Sequence, residues 1–374
     1  MQWLNNIEQV DDSLWDNDYP FLQKEFLSAL EQHGSINANS GWQSHYIQLN
    51  DQKLLLPSFI KQHSYGEYVF DWGWAEAYQN HGLNYYPKMI IAAPFTPASG
   101  PRIIGQSNST KEINGKEISE CLHHHCQQQN LSGVHYLFCN DSEKEVLQEH
   151  NWHVRKSVQF LWHNYSYQSF DHFLSTFKSR KRKSILKERR EIQQSGIEIK
   201  RLMANEITEL HWQFFYACYQ TTYAKRGMKG YISLNAFKAM GKNMPEQLML
   251  VTAEHQGRLL ACALYFKDNE NLYGRFWGCV QEINWLHFEL CYYQGIEYCI
   301  EQGLKHFNPG TQGEHKIARG FEATFCHSLH HLVHVGFHDA VGDFVREEAK
   351  ELEHYKKGCY EQLPFNANNM PEPR

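Results

Sequence analysis

The sequence predicts a mixed α/β fold. Three observations predict it. Helix-period and strand-period segments alternate along the chain. Two strand runs flank the turn residues His255-Gln256-Gly257. Short, wholly apolar runs such as Met89–Ala93 read as buried strands. The chain has 374 residues, 42% of them hydrophobic, which is enough for about two domains with separate cores. It has no repeat of solenoid or propeller period.

The elements follow in order. Pro20–Gly34 predicts a helix with Phe21, Leu22, Phe26, Leu27 and Leu30 on one side and Gly34 as its stop. Ser44–Leu49 and Lys53–Phe59 predict a hairpin around Asn50-Asp51. Asp71 caps a helix that carries Trp72, Ala75 and Tyr78 and ends near Gly82. Tyr86–Phe95 reads as a buried strand, Glu117–Gln129 as a helix and Val134–Cys139 as a strand. Val154–Asn164 is a strand linking the two halves. Ser179–Gln194 is a basic helix stopped by Gly196, with a strand at Ile197–Leu202. Glu206–Lys225 is a helix with an aromatic face. Gln247–Glu254 and Arg258–Phe266 form a hairpin, and Asn271–Gly278 adds a strand. Leu286–Gly303 is a helix, Lys305–Asn308 and Phe325–Val333 are strands, and Phe337–Tyr355 is a final helix. The domains expected are 1–152 and 153–365, with 366–374 a flexible tail.

Charge is unevenly spread. The net charge is −6, yet Lys178–Arg190 holds eight Lys/Arg and one Glu, a net of +7, so the remaining residues carry −13. That balance argues against a general coat for nucleic acid or membrane and for one focused basic site. The N-terminus lacks an apolar signal region, and no apolar run approaches the roughly 20 residues that span a bilayer. Ten scattered cysteines without a C-x-x-C predict reduced thiols. The expectation is a cytoplasmic protein without a membrane span.

Four constellations carry chemistry. Arg180, Lys183, Lys187 and Arg190 share a helix face and could hold phosphate, or form a solvated basic face. Arg275 and Trp277 lead by strand and loop into a helix start bearing His287 and Glu289, either of which could take a proton. Glu314, His315, Lys316 and Arg319 follow a strand in a glycine-framed loop. Tyr65, Glu67, Asp71, Trp72 and Trp74 could line a pocket for an amine, or be core. His123-His124-His125 reads as solvated, and no metal-ligand spacing accompanies it. Dinucleotide, P-loop and nucleophile-elbow signatures are absent, so those enzyme classes are unsupported.

Five segments, in order, resemble one family: SYGEYVFDWGWAEAYQNHGLNYYPK, SRKRKSILKERREIQQSGI, YGRFWGC, LHFELCYYQGIEYCIEQGL and QGEHKIARGF. They resemble the FemAB-like branch of the GNAT acyl-CoA N-acyltransferase superfamily, from about Asp18 to Val345. The resemblance implies tandem GNAT-like α/β domains with mixed, mostly antiparallel sheets flanked by helices. It implies transfer of an acyl or aminoacyl group onto an amine, such as a peptidoglycan precursor. It implies no tightly bound cofactor, with acyl-CoA or aminoacyl-tRNA as donor. The basic segment Arg180–Arg190 then lies near substrate phosphates. The loop Cys279–Trp285 departs from the family pattern, because it lacks the glycine-rich run that cradles the CoA pyrophosphate.

The expected chemistry is therefore acyl transfer in which Glu289, His287 or the Glu314–His315 pair takes the proton. Arg180, Lys183 and Arg319 are the leading phosphate ligands. An acetyl-CoA-dependent small-molecule N-acetyltransferase is one alternative. A non-catalytic module that recognises cell-wall fragments or RNA is the other.

Overall fold

The computed structural model describes residues 1–15, 17–49, 53–105, 114–311 and 313–372. The chain forms two compact units: Met1–Ser157 with Phe325–His354, and Val158–Thr324 with Tyr355–Arg374.

The first unit is built on the strands Trp42–Ser44, Ser58–Lys61, Lys88–Ile91, Gly133–Cys139 and Glu322–Leu332, paired in that order. Only the Lys88–Ile91 pairing with Gly133–Cys139 is parallel. The predicted hairpin exists as Tyr46–Leu49 against Leu54–Leu56, while its tip at Asn50-Asp51 lies outside the described residues. Beyond Pro57 the chain leaves this small sheet, so Ser58–Lys61 joins the larger one. Helices Lys24–Gln32, Trp72–Asn80 and Gly115–Gln128 sit where helical periodicity placed them. Ile118, Leu122, Val134, Tyr136, Leu147 and Trp152 belong to one buried cluster.

The second unit orders its strands Glu198–Met203, Leu248–His255, Arg258–Lys267, Asn271–Cys279, His306–Asn308 and His153–His163. All pairs are antiparallel except that between Asn271–Cys279 and His306–Asn308. Helices Ser179–Gln194 and Glu209–Ala224 match their predicted spans closely. Its core includes Trp162, Phe173, Ile185, Leu290, Ile296, Phe307 and Phe321. The mixed, mostly antiparallel α/β architecture is therefore the one the sequence predicts.

Several details differ. The helices Asp141–Gln148, Phe170–Ser175 and Leu234–Asn243 are absent from the sequence reading. They are short, and in DSEKEVLQ only Val146 and Leu147 are apolar, too few to give a period. The units are discontinuous rather than divided once at 152/153. Residues 325–354 return to the first unit because Leu329–Leu332 pair with Gly133–Tyr136, and Val341 and Val345 pack beside Trp74 and Tyr78. Residues 366–372 are docked, not loose. The Asn366 amide donates to Thr176 O at 2.8 Å and Tyr360 Oη donates to Pro371 O at 2.7 Å. Pro373 and Arg374 lie outside the described residues. His125 is buried and stacked on Trp3, with its Nε2 2.9 Å from that of His45, so it is not solvated. None of the ten cysteines forms a disulfide. Among the described residues, no helix is long and apolar enough to cross a membrane.

Candidate active site

The second unit's polar cluster begins with the helix Ser179–Gln194. Ile185, Glu188 and Ile192 are its buried positions, at helical spacing. Glu188 and Arg189 are fixed across the sequence. Arg189 Nη2 donates to Glu289 and to Glu297 at 3.0 Å each. Arg319 Nη2 donates to Glu188 at 2.8 Å, its Nε to Tyr293 Oη at 2.9 Å, and its Nη1 to His315 O at 2.8 Å. The Arg319 guanidinium also lies 3.5 Å over the Phe288 ring.

The opposite face is exposed. Arg180, Lys183, Lys187 and Arg190 are all exposed. Lys187 lies 3.6 Å from Glu191, whereas Arg180, Lys181, Arg182 and Lys183 have no ion pair among the described residues. The helix starts at Lys178 without a side-chain cap and without an acid in its first turn. Cations crowded on a helix N-terminus oppose the helix dipole, so this end gains from an anion.

The predicted helix 286–302 is interrupted. Glu289–Tyr293 forms a π turn between Leu286–Phe288 and Gln294–Gln302, a device common at functional sites. Here Glu289 is buried, and its carboxylate accepts three hydrogen bonds, two from Arg189 and one from Gln294. His287 packs on Trp277, with ring centroids 5.1 Å apart. Burial, with His315, Lys316 and Arg319 nearby, pulls its imidazolium down to about 4, so it is neutral at pH 7. Tyr292 Oη and His315 Nε2 are 2.7 Å apart, and burial lowers His315 as well.

The loop after His306–Asn308 has its own supports. Asn308 Oδ1 accepts from the Gly310 amide at 2.9 Å. At Gly313, φ is +114°, and a Cβ would stand 2.4 Å from the His315 ring. Glycine there therefore permits both the turn and the histidine's position. Gln312 lies outside the described residues. Glu314 is exposed and accepts from Tyr355 Oη at 2.8 Å. Lys316 is buried, against the expectation of a phosphate-facing surface lysine, and its Nζ donates to Gly310 O at 2.7 Å. Burial pulls it down to about 7. Arg319 is likewise buried and bound by Glu188, so it is not a free phosphate ligand. Arg275 is half-buried beside Phe276.

The first unit holds a second cluster. Lys88 is fully buried and donates to Ser64 at 2.9 Å, to Glu67 at 2.7 Å and to Asp71. Tyr85 Oη donates to Asp71 at 2.6 Å. Lys61 is also fully buried, 4.0 Å from Glu67 and 4.0 Å from the Trp42 ring centroid. Burial alone would lower Lys88, but Glu67 and Asp71 more than offset it and hold the ammonium charged. Burial also works against ionised Asp71, yet Lys88 and its hydrogen bonds bring that acid down to about 2. The sequence suggested that Glu67 and Asp71 receive a substrate amine. The amine they receive is Lys88. This also explains why the Asp71 side chain does not cap Trp72–Asn80: its carboxylate is drawn inward. Trp74 is buried, while Tyr65 and Trp72 are exposed with ring centroids 5.1 Å apart.

A family model described as FemAB-like, peptidoglycan biosynthesis/recognition, matches residues 4–367. The chain belongs to the FemAB-like family. No curated protein matches it in sequence. Among solved structures it is similar to FemX, at 9% identity over 91% of this chain and 100% of that one, TM-score 0.55. It is also similar to the C-terminal DUF2156 domain of a protein from Agrobacterium fabrum assigned as a lysylphosphatidylglycerol synthetase, at 8% identity over 91% and 95%, TM-score 0.57. L-PGS from Bacillus licheniformis matches at 10% or less identity, 9%, over 83% and 91%, TM-score 0.52. At such identities the likeness is one of fold.

Reading the FemAB-like sequence alone missed Glu188, Arg189, Tyr293, Lys61, Lys88, His135 and His330. Glu188 was visible as the lone acid in a basic run. Lys88 lies inside the strand Tyr86–Phe95 predicted to be buried, and a lysine there signals a partner, whereas Lys61 falls just past the predicted strand Lys53–Phe59.

Proposed function

We propose that the protein transfers an aminoacyl group from an aminoacyl-tRNA onto the amine of a peptidoglycan precursor or a related amino compound. The observation that carries this is the uncapped start of Ser179–Gln194, where Arg180, Lys181 and Lys183 stand exposed, Arg182 half-buried, and none of the four has an ion partner among the described residues. Glu188 and Arg189, further along the helix, are bound within the unit, so its N-terminal end is left for an anion. Acyl-CoA fits less well. The Cys279–Trp285 segment has no glycine, carries Glu282, and ends with Trp285 Nε1 donating to Glu191 at 2.7 Å. His287 and His315 are the remaining proton acceptors, because Glu289 is neutralised by Arg189 and Glu314 points to Tyr355. The acceptor amine needs positioning and loss of a proton, not a covalent nucleophile.

The test is amide formation from labelled aminoacyl-tRNA, with acetyl-CoA as the competing donor. A charge-assisted contact contributes about 1.5–3 kcal/mol, so Arg180→Ala and Lys183→Ala should each raise KM for the donor about ten-fold or more. Lys187→Ala, whose ammonium already has Glu191, should change KM less than about two-fold. Product from acetyl-CoA alone would move the assignment to the small-molecule reading. Ligand binding without product from either donor would leave a recognition module.

A further inference from the structure

Trp285 occupies a backbone position that suits a bulky side chain poorly. Its φ is +68° and its ψ −11°, a left-handed conformation that glycine or asparagine adopts with less strain. Among the described residues of the second unit it is the one aromatic residue at positive φ. The backbone around it is tied down. The Leu286 amide donates to Ile283 O at 3.2 Å, and the Glu289 amide donates to Trp285 O at 2.9 Å. Strain of this kind persists where the surroundings overdetermine it, and such positions cluster at ligand sites.

The indole is aimed as well as held. Its Nε1 donates to Glu191 Oε2 at 2.7 Å, and Glu191 Oε1 lies 3.6 Å from Lys187 Nζ. The ring is thereby fastened to the basic helix, beside its exposed row. It is only half-buried, and Val280 on the same loop is exposed. The Phe288 ring centroid lies 6.0 Å from that of Trp285 and 5.4 Å from that of His315, so an aromatic row runs from the basic helix to an imidazole. Phe288 already carries the Arg319 guanidinium at 3.5 Å, which leaves Trp285 as the ring with surface to offer. The two acids beside it are paired, Glu191 with Lys187 and Glu282 with Lys225 at 3.1 Å, so neither stands alone to repel a phosphate.

We propose that Trp285 is the stacking platform for the terminal base of the donor RNA. This rests on the aminoacyl-tRNA reading above. An aromatic ring beside exposed Arg and Lys is the chemistry that holds a single-stranded nucleic-acid end, because the cations take the phosphates and the ring stacks a base of any identity. The terminal base lies on the indole, and the phosphates before it lie on the exposed cations of Ser179–Gln194. The strained backbone at Trp285 and its bond to Glu191 then have one purpose, which is to hold the ring open to the base and fixed relative to those cations.

Binding without chemistry tests this. The full-length protein is titrated with a fluorescein-labelled RNA hairpin that ends in a short single-stranded 3′ extension, and with its blunt-ended twin. The wild type is expected to bind the extended hairpin about ten-fold tighter than the blunt one. Trp285→Leu, which keeps an apolar side chain over the core, should remove that preference and leave the Kd of the blunt hairpin within about two-fold, which also shows that the variant folds. Trp285→Phe, which keeps a ring, should retain most of the preference. Arg180→Ala should weaken both hairpins alike, since it acts on phosphate. With 2-aminopurine as the last base of the extension, fluorescence should be quenched on the wild type and stay bright on Trp285→Leu. A preference or a quenching that survives Trp285→Leu overturns the platform and leaves the aminoacyl-tRNA reading standing. A wild type that binds neither hairpin overturns that reading itself. CoA binding that Trp285→Leu abolishes, with no RNA bound, assigns the ring to the CoA adenine and overturns the RNA base as its occupant.

Discussion

Lys88→Met is expected to destabilise the first unit by about 3–5 kcal/mol, because it leaves Glu67 and Asp71 buried without their cation. Few single changes in this chain should cost as much. Three hydrogen bonds end on this ammonium, from a side chain with no exposed surface. Glu67 takes a proton readily, since burial already pushes it up to about 7, whereas Asp71 is held at about 2 chiefly by Lys88 and loses that hold in the variant. The lost attraction between Lys88 and the Asp71 carboxylate is therefore the larger part of the cost. Urea unfolding followed by tryptophan fluorescence measures it, with Trp74 lying among the affected residues. Adding Asp71→Asn to Lys88→Met should recover a substantial part of the stability. A loss below about 1 kcal/mol would mean that the acids are rescued by water, and the account of the cluster would fail. Because Glu67 and Asp71 also fix the segment that presents Tyr65 and Trp72, the variant should loosen those aromatics.

Acid is expected to unfold the same unit in a characteristic profile. His135 and His330 are both about 1% exposed, with their Nδ1 atoms 2.8 Å apart, so the pair shares one N–H while both rings are neutral. Burial and then Lys88 pull His135 down to about 3. Burial, His135 and Arg155 pull His330 well below its usual range. His338 is brought to about 4, chiefly by burial. Unfolded histidines protonate near pH 6.5, so below that pH the unfolded chain binds protons the fold refuses. Stability then falls as pH falls, by about 1.4 kcal/mol per pH unit for each histidine.

Two carboxyls act in the opposite direction. Burial raises Glu67 and Glu143 to about 7, so the fold holds protons that unfolded carboxylates release above about pH 4.5. Their contribution grows as pH falls from 7 to about 4.5 and is complete below that. His125, in the same unit, is brought to about 4 as well, so four histidines against two acids leave a net loss down to about pH 4.5, then a loss roughly twice as steep. Urea midpoints taken between pH 7 and pH 4 read this directly. A flat profile through pH 4 would exclude it. His330→Gln, which takes no proton in this range, should remove about 1.4 kcal/mol per pH unit from the slope.

Much of the fold was legible in local pattern. Helical period, glycine stops such as Gly303 with φ of +68°, and the His255-Gln256-Gly257 turn place most elements within a few residues. The exposed row Arg180, Lys183, Lys187 and Arg190 was legible too, because residues at i, i+3 and i+4 must share a helix face. Short helices and the π turn were not. Neither leaves a period in the sequence long enough to detect.

The sequence by itself determined the α/β class, the order of the motifs, the concentration of basic charge in one helix and the membership those motifs implied. Only the tertiary structure decided which charges are free. Arg319 and Glu289 read as candidates beside Arg180, yet the first is bound by Glu188 and the second by Arg189, each at least 100 positions away in sequence. Lys316 read as one more surface cation and Lys88 drew no attention, yet both are buried, Lys88 on two carboxylates and Lys316 on Gly310 O. The physical reason is that helical spacing fixes the direction of a side chain, whereas its partner and its burial come from segments far away in sequence, and these set whether a charge holds the fold together or remains for a ligand.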